Sequence, residues 1–224
     1  MSFGDKKLSE IAVSVPGSTS LLRKYDLDFC CGGSDTLANA AAEKGLNLAE
    51  IETRLTELQN SKAENPEEYW VNATYPEIID HILVRYHQRH REQLQELIVL
   101  ADRVESVHGD REDCPMGVAA ELRNVYEDLS NHMMKEEHVL FPMIKAGNYM
   151  MAQMPTRMME MEHAEHGEHL DVLKSLTNNM TPPADACNTW RALYSGIQEF
   201  ADDLMMHIHR ENNILFPRVI AENH

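Results

Sequence analysis

Cysteine, basic charge and long apolar runs are all scarce in this chain, and each shortage removes a class of protein. Only 4 cysteines occur in 224 residues, two of them adjacent. That is no disulfide framework, and reduced thiols are expected. Lysine and arginine number 20 against 37 aspartates and glutamates, a formal net charge of −17. Phosphate binding needs a basic patch, so nucleic acid is not an expected partner. No apolar run approaches the roughly 20 residues that span a bilayer, so no membrane role is expected. The opening residues, Met1-Ser2-Phe3-Gly4-Asp5-Lys6, lack the apolar core of a signal peptide, which makes a cytoplasmic location the expectation.

What the chain has in quantity is histidine, 12 in all, concentrated beyond residue 80. Two of these sit in a repeated unit. His132-x-x-x-Glu136, followed by Leu140-Phe141-Pro142, recurs as His207-x-x-x-Glu211, followed by Leu215-Phe216-Pro217. On an α-helix, residues four apart lie one above the other, so each copy aims an imidazole and a carboxylate at one place. The repeat extends upstream: His87, His90, Glu92 and Leu94 match His163, His166, Glu168 and Leu170 at an offset of 76, against 75 for the tetrads. The chain from about Tyr75 onward therefore reads as two helical hairpins, each with a histidine on its first helix and His-x-x-x-Glu on its second.

Residues 1–60 show short helices with clear punctuation and form a small helical N-terminal domain. Pro16 suits a first helical turn, Ser34 an N-cap and Gly45 a C-terminal stop, with Phe29-Cys30-Cys31-Gly32-Gly33 as a tight bend between them. Residues 61–74 read as a linker. Residues 75–224 read as an antiparallel four-helix bundle, making the fold all-α. Its apolar stripes are Ile79 to Val104, Val118 to Met143, Met159 to Thr177 (from a start near Pro155) and Trp190 to Ile214. Histidine or glutamate replaces a hydrophobe in or beside each stripe. From a turn near Arg111, His87 lies 24 residues back and His132 lies 21 on, or about 36 and about 32 Å at the helical rise. The two should meet at one level.

Carboxylates and imidazoles inside a bundle are costly unless paired or bound to metal. A two-metal site resolves this: Glu136 and Glu211 bridge two ions, and His87, His132, His163 and His207 cap them, two per ion. Nitrogen and oxygen ligands with open positions favour iron, then manganese and zinc. His90 and His166 read as supporting core groups, with direct ligation open. His81, His108, His138, His169, His209 and His224 are expected to face solvent, and Glu162 and Asp128 either line a polar path to the site or, the reading preferred, lie on a solvated face. The pairs Met133-Met134, Met158-Met159 and Met205-Met206 are expected to pack in the core, and Pro142 and Pro217 to kink or end their helices. Cys30 and Cys31 leave two readings open. They are small hydrophobes before a Gly-Gly turn, or a thiol pair exposed by it that binds iron or nitric oxide or passes electrons. Cys114 and Cys187 read as incidental.

These motifs resemble the hemerythrin-like family. With Tyr25-Asp26-Leu27-Asp28-Phe29-Cys30-Cys31-Gly32-Gly33 ahead of the bundle, nearly the whole chain resembles the RIC (repair of iron centres) family. The resemblance implies a non-haem protein with two oxo-bridged iron ions, induced by nitric oxide or oxidative stress, that restores damaged iron–sulfur clusters. It implies iron ligands at His87, His132, Glu136, His163, His207 and Glu211, damaged iron–sulfur proteins as partners, and nitric oxide or O₂ as small ligands. Oxygen-carrying hemerythrins place a second histidine four residues after the third-helix ligand, where this chain has Gly167. They use His-x-x-x-x-Asp where it has His207-x-x-x-Glu211. Both departures favour iron exchange or nitric oxide chemistry over O₂ carriage. The alternatives are an O₂ or nitric oxide sensor or carrier without turnover, a di-iron oxidase, and a metal-free interaction bundle. The oxidase reading lacks the Glu-x-x-His signature on the inward stripes. Whether the protein is an enzyme, and whether it forms a homodimer, stays open.

Overall fold

The computed structural model describes residues 2–61 and 63–222. Among these the regular elements are all helical, with one isolated bridge between Lys7 and Thr36. His224, expected to face solvent, lies outside the described residues. The chain divides into two compact units, Ile79–Met205 and the pairing of Met1–Ile78 with Met206–His224.

The unit Ile79–Met205 is an antiparallel four-helix bundle. Its helices are Gln88–His108 with the turns ahead of it, Val118–Lys135 with the turns after it, Tyr149–Leu176, and Asn188–Arg210 as far as Met205. Leu94, Leu97, Ala101, Val104, Leu122, Val125, Leu129, Leu170, Leu173, Leu193, Ile197 and Phe200 fill its interior. Polar pairs on the rim record the antiparallel order. Arg85 meets Asp203 at 2.6 Å, Arg89 meets Glu199 at 2.9 Å, and His108 lies tilted against Trp190 with centroids 5.2 Å apart. The first and last helices approach closely at Gly196, where a Cβ would come within 2.6 Å of Leu97 Cδ2.

The third helix starts earlier than expected, at Tyr149, and carries Pro155 inside it. Pro155 lies beyond the first turn, so it forfeits one intrahelical hydrogen bond and crowds the carbonyl four residues back, a cost the helix carries without breaking. The methionine pairs also differ from expectation. Met133 and Met159 are buried, but Met134 and Met158 are exposed, and Met205 and Met206 are half-buried. Neighbours on a helix point about 100° apart, so both members of a pair cannot face the core squarely. Met150, Met151, Met154, Met158 and Met161 consequently form an exposed stripe on the third helix.

In the other unit, Phe3, Leu8, Ile11, Leu22, Leu27, Phe29, Leu37, Ile51 and Leu55 make a small core. The helix Leu37–Glu43 is capped by Thr36, whose side chain accepts from Asn39 N–H, not by Ser34. Gly45, at φ +63°, ends it as the sequence suggests. The stretch read as a linker holds a helix, Pro66–Asn72, capped by Asn65. Its Glu67 is buried and takes Arg210 in a fork, Nη1–Oε2 2.5 Å and Nη2–Oε1 3.3 Å, while Trp70 lies under the guanidinium at 4.8 Å. His209, expected in solvent, is fully buried here. Its Nδ1 accepts from Asn213 at 2.8 Å, its Nε2 lies 3.4 Å from Glu67, and its ring meets Phe29 edge-on. The sequence pattern put His209 off the apolar stripe. That side of the helix is covered by partners drawn from residues 29 and 67, which bundle periodicity does not reveal.

Two predictions follow from these ion pairs. His169 is half-buried between Glu121 at 2.6 Å and Asp128 at 3.0 Å, not solvated as expected. Burial opposes its charge, but the hydrogen bonds and charges of Glu121 and Asp128 hold its pKa above the usual 6.5. A pKa raised on folding stabilises below the unfolded value, and the stabilisation fades as pH rises through the folded value. His169→Gln should cost up to about 1 kcal/mol in urea unfolding at pH 6, with the gap closing by pH 9. Glu67→Ala strands Arg210 in the interior and should lower stability by about 3–5 kcal/mol, read from the same unfolding curves.

Candidate metal centre

Among the described residues, three places widen from α-helix to π-helix: Ile82–His87, Glu136–Leu140 and Glu211–Leu215. In each, one N–H reaches five residues back, Gln88 to Leu83, Phe141 to Glu136 and Phe216 to Glu211. A π turn inserts an extra residue and so shifts which side chains face inward, and such turns concentrate at functional sites. At the first, Tyr86 and His87 are both buried. At the others, the glutamate that opens the turn is wholly buried. The repeated Leu-Phe-Pro now has a local reason. Pro142 and Pro217 fall in the first turn of the helix resuming after each π turn. Proline can neither donate an N–H nor tolerate the carbonyl four residues back, and a widened turn removes both conflicts. The chain therefore continues as helix past these prolines.

In the bundle unit, Oε2 of Glu136 lies 3.3 Å from Nε2 of His87 and 3.5 Å from Nε2 of His132. His163 adds its Nε2 at 3.0 Å from that of His132. The donor atoms of His132, Glu136 and His163 lie within 4.8 Å of one another, and all of these groups are at most 1% exposed. In the other unit, Nε2 of His207 lies 3.2 Å from Oε1 of Glu211, both buried.

The outer nitrogens are fixed by carboxylates that sequence reading did not single out as supports. His87 Nδ1 lies 2.8 Å from Glu137, which Arg91 holds at 2.6 Å. His132 Nδ1 lies 2.9 Å from Glu162, which Lys135 holds at 2.6 Å. Hydrogen bonds from His87 and His132, followed by their cationic neighbours, hold the Glu137 and Glu162 carboxyls at about 2. Glu162 is thus no plain solvated residue. A carboxylate on Nδ1 leaves the Nε2 lone pair pointing inward, the arrangement of metal-binding histidines. Two imidazole Nε2 atoms at 3.0 Å also suit neighbouring ligands of one ion: bonds of about 2.1 Å at a right angle put donors about 3.0 Å apart. The signal for both carboxylates was adjacency, since Glu137 follows Glu136 and Glu162 precedes His163.

His90 and His166 are buried beside this cluster. His90 stacks with Tyr86 and meets Phe200, and His166 meets the His132 ring edge-on at 4.9 Å. Of the histidines expected in solvent, His138 is exposed while His81 and His108 are half-buried. Glu160 stands three residues before His163, so one Glu-x-x-His spacing does end on an inward histidine, contrary to the sequence reading. Glu160 is half-buried, and burial raises its carboxyl pKa.

Cys30 is buried and Cys31 half-exposed, with their Sγ atoms 3.7 Å apart. Asp28 ties the loop: Oδ1 accepts from Cys30 N–H at 3.0 Å and Cys31 N–H at 2.9 Å, and Oδ2 from Gly32 N–H at 2.8 Å. Gly33 has no room for a side chain, since a Cβ would lie 2.5 Å from the Phe29 carbonyl. Hydrogen bonding to Cys31, then burial and the Asp28 charge, push the Cys30 thiol well above its usual pKa. The loop is hydrogen-bonded to the Glu211 turn, for Asn212 donates to the Cys30 carbonyl at 2.9 Å and Asn213 to that of Phe29 at 2.8 Å.

Loss of one supporting carboxylate should weaken metal binding without unfolding the bundle. Glu137→Gln and Glu162→Gln should each lower affinity roughly 10- to 100-fold in chelator competition, with unchanged helical circular dichroism.

The hemerythrin HHE cation-binding domain family matches residues 78–219, and a domain of unknown function, ScdA_N, matches residues 4–59. A Haemophilus influenzae protein named probable iron-sulfur cluster repair protein is 67% identical, over 99% of this chain and 100% of its own. Proteins named iron-sulfur cluster repair protein YtfE are 53% identical in Musicola paradisiaca, over 98% of both chains, and 54% identical in Escherichia coli, over 99% of both. No helix among the described residues is long and apolar enough to cross a membrane. By the match over its bundle and the full-length likeness to these relatives, the chain belongs to the hemerythrin HHE cation-binding family.

Proposed function

We propose that this protein repairs iron–sulfur clusters, holding two non-haem iron ions as an oxo-bridged pair on His87, His132, Glu136, His163, His207 and Glu211. The observation that carries the reading is the convergence of His87 and His132 on Glu136, with His163 3.0 Å from His132. A buried carboxylate among inward-facing imidazole lone pairs wants a cation at its centre. In this reading Glu136 and Glu211 bridge, His132 and His163 serve one ion, and His87 and His207 serve the other. Each ion then has two nitrogens and two carboxylate oxygens from the protein, fewer donors than iron accepts. Bound there, iron supplies coordination sites for nitric oxide or O₂ and is itself the cargo that a damaged cluster lacks.

The chain's own residues set how that cargo is held. Glu137 and Glu162 orient His87 and His132, so these ligands keep their direction as an ion enters or leaves. Gly167, in place of a further histidine, leaves one donor fewer on the third helix. The names of the relatives, the supported ligand set and the incomplete coordination favour repair over reversible carriage of O₂ or nitric oxide. The reading places the protein in the cytoplasm with damaged iron–sulfur proteins as its clients.

The test is anaerobic purification with iron analysis and Mössbauer spectroscopy, followed by reactivation of a nitric-oxide-damaged [4Fe–4S] dehydratase. Close to two irons per chain and reactivation by the loaded protein are expected. Glu136→Ala should lose both. Equal reactivation by metal-free protein would sink the proposal.

A further inference from the structure

Asp28, Cys30 and Cys31 bring two sulfurs and a carboxylate together away from the histidine cluster. Their ligand atoms lie within 4.8 Å of one another. The Sγ–Sγ separation is 3.7 Å and Cys30 Sγ lies 3.2 Å from Asp28 Oδ1. For a tetrahedral ion with metal–sulfur bonds of about 2.3 Å, two thiolates stand about 3.8 Å apart. Here the backbone that carries both cysteines is fixed. Asp28 clamps three successive N–H groups, and the Phe29 carbonyl leaves no room for a Cβ at Gly33. Cys31 is half-exposed, which opens one side of the cluster to solvent.

We infer that Asp28, Cys30 and Cys31 form a second metal site, taking one divalent ion of thiolate preference, iron(II) in the working protein, with its fourth position open. Binding replaces the two S–H protons, which pass to solvent, with two metal–thiolate bonds, and no electron is transferred. Thiolate donors suit iron(II), zinc(II) and cobalt(II) over magnesium or calcium. A site of three protein ligands with an open position holds its ion exchangeably, unlike a closed structural site. The loop is tied through Asn212 to the turn that begins at Glu211. An ion released from Glu211 therefore has sulfur ligands on the next segment of the same unit. This transit role rests on the proposed iron-handling function, whereas the site itself does not.

The experiment is an anaerobic cobalt(II) titration of the full-length, metal-free protein. Nitrogen and oxygen ligation gives weak visible bands, and thiolate ligation gives an intense near-ultraviolet charge-transfer band, so the two sites report separately. The expected result is a charge-transfer band saturating at one equivalent, lost in Cys30→Ser/Cys31→Ser and weakened at least tenfold in affinity in Asp28→Asn. The asparagine keeps its side-chain oxygen for the Cys30 and Cys31 N–H groups and gives up only the acceptor for Gly32 N–H, so it removes the charge while most of the clamp stays. His132→Ala should erase the weak bands and spare the charge-transfer band. Absence of that band in the parent protein, its survival in the double serine variant, or its loss on Cys187→Ser would overturn the site. Absence of the weak bands alone would overturn the histidine centre and leave this one standing.

Discussion

The constraint on both compact units is the burial of ionisable side chains that water does not reach. Glu136, Glu211, His87, His132, His163 and His207 are each at most 1% exposed. A buried carboxylate is tolerable only with compensating positive charge or several hydrogen bonds. The bundle supplies part of that compensation through imidazoles. It then neutralises the outer ends of His87 and His132 with Glu137 and Glu162, themselves held by Arg91 and Lys135. Charge thus alternates outward from the centre to the surface, and each shell makes the one inside it affordable.

Much of this was legible in the residues. The helical stripes and the His-x-x-x-Glu repeat place the first bundle histidine against Glu136 because a period of 3.6 is a strong geometric rule. The π turns were not legible, since periodicity averages over a single inserted residue. Nor were the partners of His209 and Glu67, which depend on packing between residues 143 positions apart at Arg210. The stretch around Pro66 reads as a linker by composition, yet its glutamate is buried. Polar sequence predicts exposure only when no cation elsewhere in the chain comes to meet it.

The duplicated halves have diverged just past their glutamates. After Glu136 comes Glu137, which orients His87 inside the bundle. After Glu211 come Asn212 and Asn213, whose amides hold the carbonyls of Cys30 and Phe29. One glutamate is braced by a salt-bridged helix face, the other by a loop of neutral hydrogen bonds. The repeat is symmetric in its donors and unsymmetric in its supports.

The methionine stripe on the third helix bears on durability. Oxidation converts a thioether to a sulfoxide, a polar group that disrupts a core. Met150, Met151, Met154, Met158 and Met161 already stand in water, so an added oxygen there displaces no packing. Met133 and Met159, whose oxidation would damage the interior, are shielded at 0% and 3% exposure. Oxidation of the surface methionines therefore has little packing to disrupt, and the methionines whose packing matters are the ones water does not reach.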